Sequence, residues 1–276
     1  ISIIQTRQTK MYRFIVITLI SALTACGSSM DYSHSPNFNS NLNRFQHPDG
    51  DPSNKKPSEL FAMIREFSKR KYDQSEQIGF PVKLSEQNEL STFSESVMWI
   101  GQSTILLSHK GLTVLTDPQF SNRASPLFFG GPKRVTPIPF NIKDLPNIDV
   151  VLISHNHYDH LDRSSIRDLI KHQPSIKFLV PLGLGQTLYK WGVVDVTELD
   201  WWQAINLQEV EIQPTPVKHW SSRSLLDRNK SLWAGWMMKW DDFSFYFAGD
   251  SGYSSDFKET AKRPVSYTHL RAHETS

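Results

Sequence analysis

The chain has 276 residues, 38% apolar and 12% aromatic, enough to bury a sizeable core as one large domain or two small ones, which excludes disorder for most of its length. Of its formal net charge of +2, three positive charges, Arg7, Lys10 and Arg13, precede Cys26 with no acidic residue among them, leaving −1 for the remainder. So near-neutral a balance gives no electrostatic reason to expect nucleic acid as a partner.

Residues 1–10 precede the first Met and read as upstream translation. Met11-Tyr12-Arg13 leads into the apolar run FIVITLISALTA and then Cys26. A short charged start, an apolar stretch too short to span a bilayer as a helix and small residues before the cut describe a signal peptide over 11–25. The triplet Leu23-Thr24-Ala25 before Cys26 resembles the bacterial lipobox, which implies cleavage before Cys26 and lipid attachment to its thiol; an uncleaved anchor or a buried apolar cysteine is the alternative. Residue 27 is glycine rather than aspartate, so the resemblance favours the outer membrane, with the protein facing the periplasm or the exterior. As the only cysteine, Cys26 forms no intramolecular disulfide. Residues 26–57, rich in Ser, Asn, Pro and Asp without apolar period, read as a flexible tether.

From Ser58, the apolar residues Leu60, Phe61, Ile64 and Phe67 recur at helical spacing and predict a first helix. SVMWIG, TILLSH, LTVLTD and IDVVLIS then read as strands, with helices near 164–172 and 183–191 flanking the strand IKFLV. VEIQPTPV, WAGWMMKW and FSFYFAG continue the strand series, and Trp201, Trp202, Trp233, Trp236 and Trp240 read as core. No internal repeat is visible. Strands in runs with interspersed helices predict a layered α/β arrangement with the sheets inside.

The strand at 150–154 ends in HNHYDH. His155 and His157 are two apart, so an extended backbone points both imidazoles the same way, and Asp159 and His160 follow on the turn. Imidazole nitrogens and carboxylates at this spacing suit zinc, whose ligands converge to roughly 2 Å from one point. Surface histidines capping the next helix are the plainer alternative. His219 and Asp250 also stand where strands stop, so all six can meet along one edge of the sheets.

HNHYDH, then His219, then the GD of AGDSGY, resemble the metallo-β-lactamase superfamily. LTDPQFSNRASPLFFGGPKR, LPNIDVVLISHNHYDHLD, KHWSSRSLLDRNKSLWAGW and FAGDSGY resemble its N-acylphosphatidylethanolamine-hydrolysing phospholipase D branch. The resemblance covers about Trp99 to Tyr253 and implies a four-layer αββα sandwich with two zinc ions, in a domain spanning 58–263. It implies that His155, His157 and His219 hold one zinc, that Asp159 and His160 hold the other, and that Asp250 bridges them. The family's pattern has one more zinc-binding histidine on a later strand, whereas this sequence ends 26 residues after Asp250. The second site is therefore expected to be one ligand short and the domain incomplete at its C-terminus. Residues 264–276 do not look like the family; they resemble a translated sequencing adapter.

The resemblance implies hydrolysis of a phosphodiester in N-acylated or related phospholipids by a hydroxide shared between two zinc ions, with Asp159 orienting that hydroxide. A di-zinc hydrolase of another ester, lactone or amide, and a non-catalytic or metal-binding lipoprotein, are the alternatives. Phe128 and Phe129 beside Gly-Gly, with Lys133 and Arg134 after them, are candidates to meet acyl chains and phosphate; core packing is the alternative for the Phe pair. Trp220, Arg223, Arg228 and Lys230, around His219, form a second candidate substrate loop.

Overall fold

The computed structural model describes residues 30–50, 90, 92–126, 131–134, 137–224 and 226–263, with the backbone of 270–273. The predicted signal peptide, Cys26, the predicted helix from Ser58, and Phe128 and Phe129 lie outside the described residues. The chain divides into Ile1–Asp31 and Tyr32–Ser276, and the fold described below is that of the second unit.

A six-stranded sheet runs in the order β3 (Ser96–Gly101), β4 (Thr104–His109), β5 (Leu112–Thr116), β6 (Val150–Leu152), β7 (Lys177–Pro181), β8 (Val196–Leu199). Its first three strands are antiparallel hairpins, and β5 to β8 are parallel. Parallel strands are covered on both faces, which is why β6 and β7 read as unbroken apolar runs. At the edge, β3 alternates instead: Val97 and Trp99 are about half exposed, while Ile100 is buried. A second sheet runs β9 (Ile205–Leu207), β10 (Val210–Thr215), β11 (Gly235–Lys239), β12 (Ser244–Asp250), with the backbone of β13 (Leu270–His273) parallel to β12.

Leu107, Val114, Val150, Leu152 and Leu179 of the first sheet pack against Ile212, Trp236, Met238 and Phe247 of the second. On the outer face of the first sheet, α1 (Arg163–His172) and α2 (Gly185–Trp191) bury Ile166, Leu169 and Leu188 against Leu106, Leu115 and Val151. On the outer face of the second, α3 (Asp256–Lys262) sets Phe257 against Met237, Tyr246 and Ala248. Each amphipathic element has covered its apolar side, and the layers read helix, sheet, sheet, helix, the expected αββα sandwich.

Part of the segment expected as a tether is packed. A two-residue hairpin, β1 (Phe38–Asn39) with β2 (Arg44–Phe45), joins Tyr32 and Phe45 to a cluster with Leu182, Trp201, Leu232 and Trp233. Buried His47 meets Asp256 of α3 through Nε2, 3.0 Å from Oδ2. The apolar residues here are too few and irregular for a periodic signal, yet Tyr32 and Phe45 are buried in this cluster, while Leu42 at the hairpin turn stays exposed. Trp201, Trp233, Trp236 and Trp240 are buried as expected, and Trp202 is partly buried. The indoles also tie strand ends together, Trp233 Nε1 donating to Val217 O at 2.8 Å and Trp236 Nε1 to Ile153 O at 2.9 Å.

Candidate metal centre

The end of β6 is pinned from both sheets. Ser154 N donates to Asp117 Oδ1 at 2.7 Å, and Ser154 O accepts from Ala234 N at 2.9 Å, just before β11. Beyond it the chain folds back, with the amides of His160 and Leu161 both donating to His157 O. Asp162 then caps α1 by accepting from Ser164 N and also accepts from Ser121 N, which fixes the far end of the turn. From the other sheet, Gly249 brings Asp250 in: with φ at +59°, a Cβ there would stand 2.6 Å from Ser154 Cβ, so only glycine allows the two strand ends to approach.

Three imidazoles converge. His155 Nε2 lies 2.8 Å from His157 Nδ1, and His219 Nε2 lies 3.1 and 3.2 Å from those two atoms. A ring nitrogen either carries a proton or offers a lone pair, so three mutually adjacent nitrogens cannot alternate as donor and acceptor. One pair must oppose like with like unless all three lone pairs face a cation. Ligands about 2.0–2.1 Å from a tetrahedral zinc stand roughly 3.3 Å apart, close to these separations. His155 is already in the required tautomer, because the Ser154 hydroxyl donates to Asp117 Oδ2 and leaves its oxygen to accept from His155 Nδ1 at 2.9 Å.

Asp250 Oδ2 joins this triangle to a second group. It lies 3.7 Å from His219 Nε2 and 3.3 Å from His160 Nε2, which is in turn 3.6 Å from Asp159 Oδ2. His155, His157, His219 and Asp250 form a set that could hold a metal ion. His160 is fully buried, its Nδ1 faces Asp117 Oδ2 at 2.7 Å, and its Nε2 has no hydrogen-bond partner. An orphaned buried nitrogen beside two carboxylates is a further fit to a cation. Gln102 Nε2 donates to Asp159 Oδ2 at 3.1 Å and fixes that carboxylate.

Protonation divides the two groups. Burial, then the neighbouring imidazoles, pushes His155 well below the usual histidine range. Burial and the charge of His160 bring His157 to about 4, and burial brings His219 to about 3 against the pull of Asp250. Burial also opposes charge on His160, but its hydrogen bond to Asp117 and the nearby carboxylate of Asp250 hold it well above the ordinary value. The Asp250 carboxylate is disfavoured by burial, yet the hydrogen bond and charge of His160, with those of His219 and His157, lower it to about 2. The triangle is thus uncharged at neutral pH, each ring keeping one N–H and offering one lone pair as a metal ligand must, whereas a metal beside His160 would displace a proton.

The proposed substrate residues separate on inspection. A cleft of about 680 Å³ opens over His157 and Asp159, lined also by Gln102, Lys133, Arg134 and Trp220. Lys133 is exposed on its rim. Arg134 borders it but is engaged below, donating to Gln119 and Ser121 O. Trp220 packs its ring 4.3 Å from that of His157, and the guanidinium carbon of Arg228 lies 4.4 Å from the centre of the Trp220 ring. Arg223 is not among the cleft's lining residues; its guanidinium binds the carbonyls of Asn156 and Leu161, so the expectation of a substrate contact does not suit it. Asp117, Ser154 and Gln102 are the members that sequence reasoning missed. Asp117 did carry a signal, an acid closing an apolar strand in LTD as Asp250 does in AGD.

The family model described as "Beta-lactamase superfamily domain" matches residues 113–266, more than half of the chain. The chain belongs to the β-lactamase superfamily. Its metallo-β-lactamase fold is also that of "a possible metal-dependent hydrolase" from Veillonella parvula DSM 2008, at 20% identity and a TM-score of 0.50 over 62% of this chain and 69% of that one. Within the superfamily, an uncharacterized protein of Mycobacterium tuberculosis is 43% identical over 166 residues, 59% of this chain and 44% of that protein. N-acyl-phosphatidylethanolamine-hydrolyzing phospholipase D 1 of Caenorhabditis elegans is 37% identical over 175 residues, 60% of this chain and 49% of that protein. The chain spans about half the length of these curated relatives. As a superfamily member, the chain carries a His and Asp group able to hold a metal.

Proposed function

We propose that this protein is a metallo-hydrolase, a di-zinc phosphodiesterase of the phospholipase D type acting on N-acylated or related phospholipids. The observation that carries the reading is Asp250 Oδ2, set between the triangle and His160 within 3.7 Å of a nitrogen from each. One carboxylate oxygen shared by two donor groups suits a pair of metals better than one. The similarity to the phospholipase D of Caenorhabditis elegans supports the choice of substrate. Two zinc ions, when bound, would supply Lewis-acid charge beside the phosphoryl oxygens.

The chain's own residues then have distinct tasks. His155, His157, His219, His160, Asp159 and Asp250 hold the metals. Asp159, fixed by Gln102, turns a carboxylate toward the cleft floor, where it orients an attacking water and accepts its hydrogen bond. Lys133 on the rim attracts the phosphate, and Trp220 braces His157. Metal analysis of the intact protein together with hydrolysis of N-acylphosphatidylethanolamine tests the reading: close to two zinc ions and release of phosphatidic acid are expected. Undiminished turnover after chelation, or zinc bound without any turnover, refutes it.

The membrane is the proposed setting. Lipid on Cys26 would hold the protein to the outer membrane, where its substrate lies. Cys26→Ser should release it from the membrane fraction or block processing, and a mature wild-type N-terminus without acyl mass would refute the anchor.

A further inference from the structure

Arg223 sits behind the ligand loop rather than in front of it. Its Nη1 donates to Asn156 O at 2.9 Å and to Leu161 O at 2.6 Å, the two carbonyls that bracket His157, Asp159 and His160. The guanidinium carbon lies 4.0 Å from the centre of the Tyr158 ring and 5.4 Å from that of Trp191 on α2, and Tyr158 Oη donates back to Arg223 O at 3.1 Å. Asp227 holds the arginine's own backbone, accepting from Arg223 N and Ser224 N. A planar cation that bonds two carbonyls and stacks on a ring is fixed in orientation as an ammonium is not.

We infer that Arg223 is a positioning residue that clasps both ends of the 156–161 loop and so keeps its three metal-binding side chains, His157, Asp159 and His160, in register. It touches neither metal nor substrate. A ligand loop with its ends tied cannot open residue by residue, so the clasp acts chiefly on metal release. The inference rests on the metal reading of the centre, but not on the phosphodiester as substrate.

The test is the rate at which the intact, zinc-loaded protein gives up metal to an excess of chromophoric chelator. Arg223→Ala should release zinc about tenfold to a hundredfold faster, the usual scale for a lost group that orients ligands. Arg223→Lys should fall between, the metal-free melting transition should shift little, and millimolar methylguanidinium should slow release from the alanine variant. Release at the wild-type rate in Arg223→Ala overturns the inference. So does faster release matched by an equal loss of metal-free stability with no response to methylguanidinium, which marks a general stabiliser. If the alanine variant does not fold, the lysine variant decides, and a wild-type rate there overturns it. A wild-type protein that holds no zinc refutes the metal reading instead, and the two failures are thus told apart.

Discussion

The two halves of the centre meet at one oxygen of Asp250 but manage charge in opposite ways. In the half made by His155, His157 and His219, burial and the neighbouring charges keep the rings neutral. In the half made by His160 and Asp159, the buried carboxylate of Asp117 keeps His160 protonated until a stronger cation replaces the proton. The first half is therefore prepared for a metal by geometry alone, and the second by exchange. The difference lies in what stands behind each imidazole, a serine hydroxyl for His155 and a carboxylate for His160.

The change expected to do most is at the shared oxygen. Asp250→Asn keeps the shape and removes the charge, so it should lower metal content in both halves and phosphodiesterase turnover by at least roughly a hundredfold. Two metals and near-normal turnover in that variant would mean that the halves do not share a ligand. Asp117→Asn acts unequally, because Asp117 meets His160 directly and His155 only through Ser154: the His160 site should lose metal affinity about tenfold to a hundredfold and the triangle less, as read by titration with competing chelator. Equal loss from both sites would dissolve the distinction drawn here.

Acid separates the halves without mutation. In metal-free protein His157 and His219 titrate at about 4 and 3, below the ordinary 6.5, and His155 is lowered in the same direction. Between those limits the unfolded chain binds protons that the folded one refuses, so stability should fall as pH drops from about 6.5 toward 4. His160 has the opposite sign: its raised pKa adds stability that is complete below 6.5 and lost as pH rises through the folded value. Thermal unfolding of chelator-treated protein should show both slopes, and His219→Gln should flatten only the acid one; an unchanged acid slope would place the titration elsewhere. The smallest effect belongs to the rim, where Lys133→Ala should raise KM for phosphodiester a few-fold, leaving metal content alone, because an exposed charge is screened.

What the sequence made legible was whatever repeats a local rule. Continuous apolar runs marked β6 and β7, the spacing of Ile166 and Leu169 marked α1, and histidines two apart at a strand end marked one face. The packing of Tyr32, Phe45 and His47 follows no local rule, because their partners Trp201, Trp233 and Asp256 lie far along the chain. Arg223 was readable as a cation near His219, but its direction depends on a loop that curls around Asp227, which spacing does not convey. The carboxylate behind His160 was hidden in the same way, since Asp117 and His160 are 43 positions apart.

The cross-sheet bonds from Ala234 N to Ser154 O and from Trp236 Nε1 to Ile153 O place the ligands on a seam. His155 and His219 are 64 residues apart in sequence, and they are neighbours only once the sheets have docked. An ion held across that seam closes a long loop in the chain, and the entropy of closure is already met by the docked sheets. Metal capture is thus a late event in folding, possible only after β10 to β12 have been made and paired. A bound ion would in turn act as a rivet, so that the sheets could not part at this end without losing the metal.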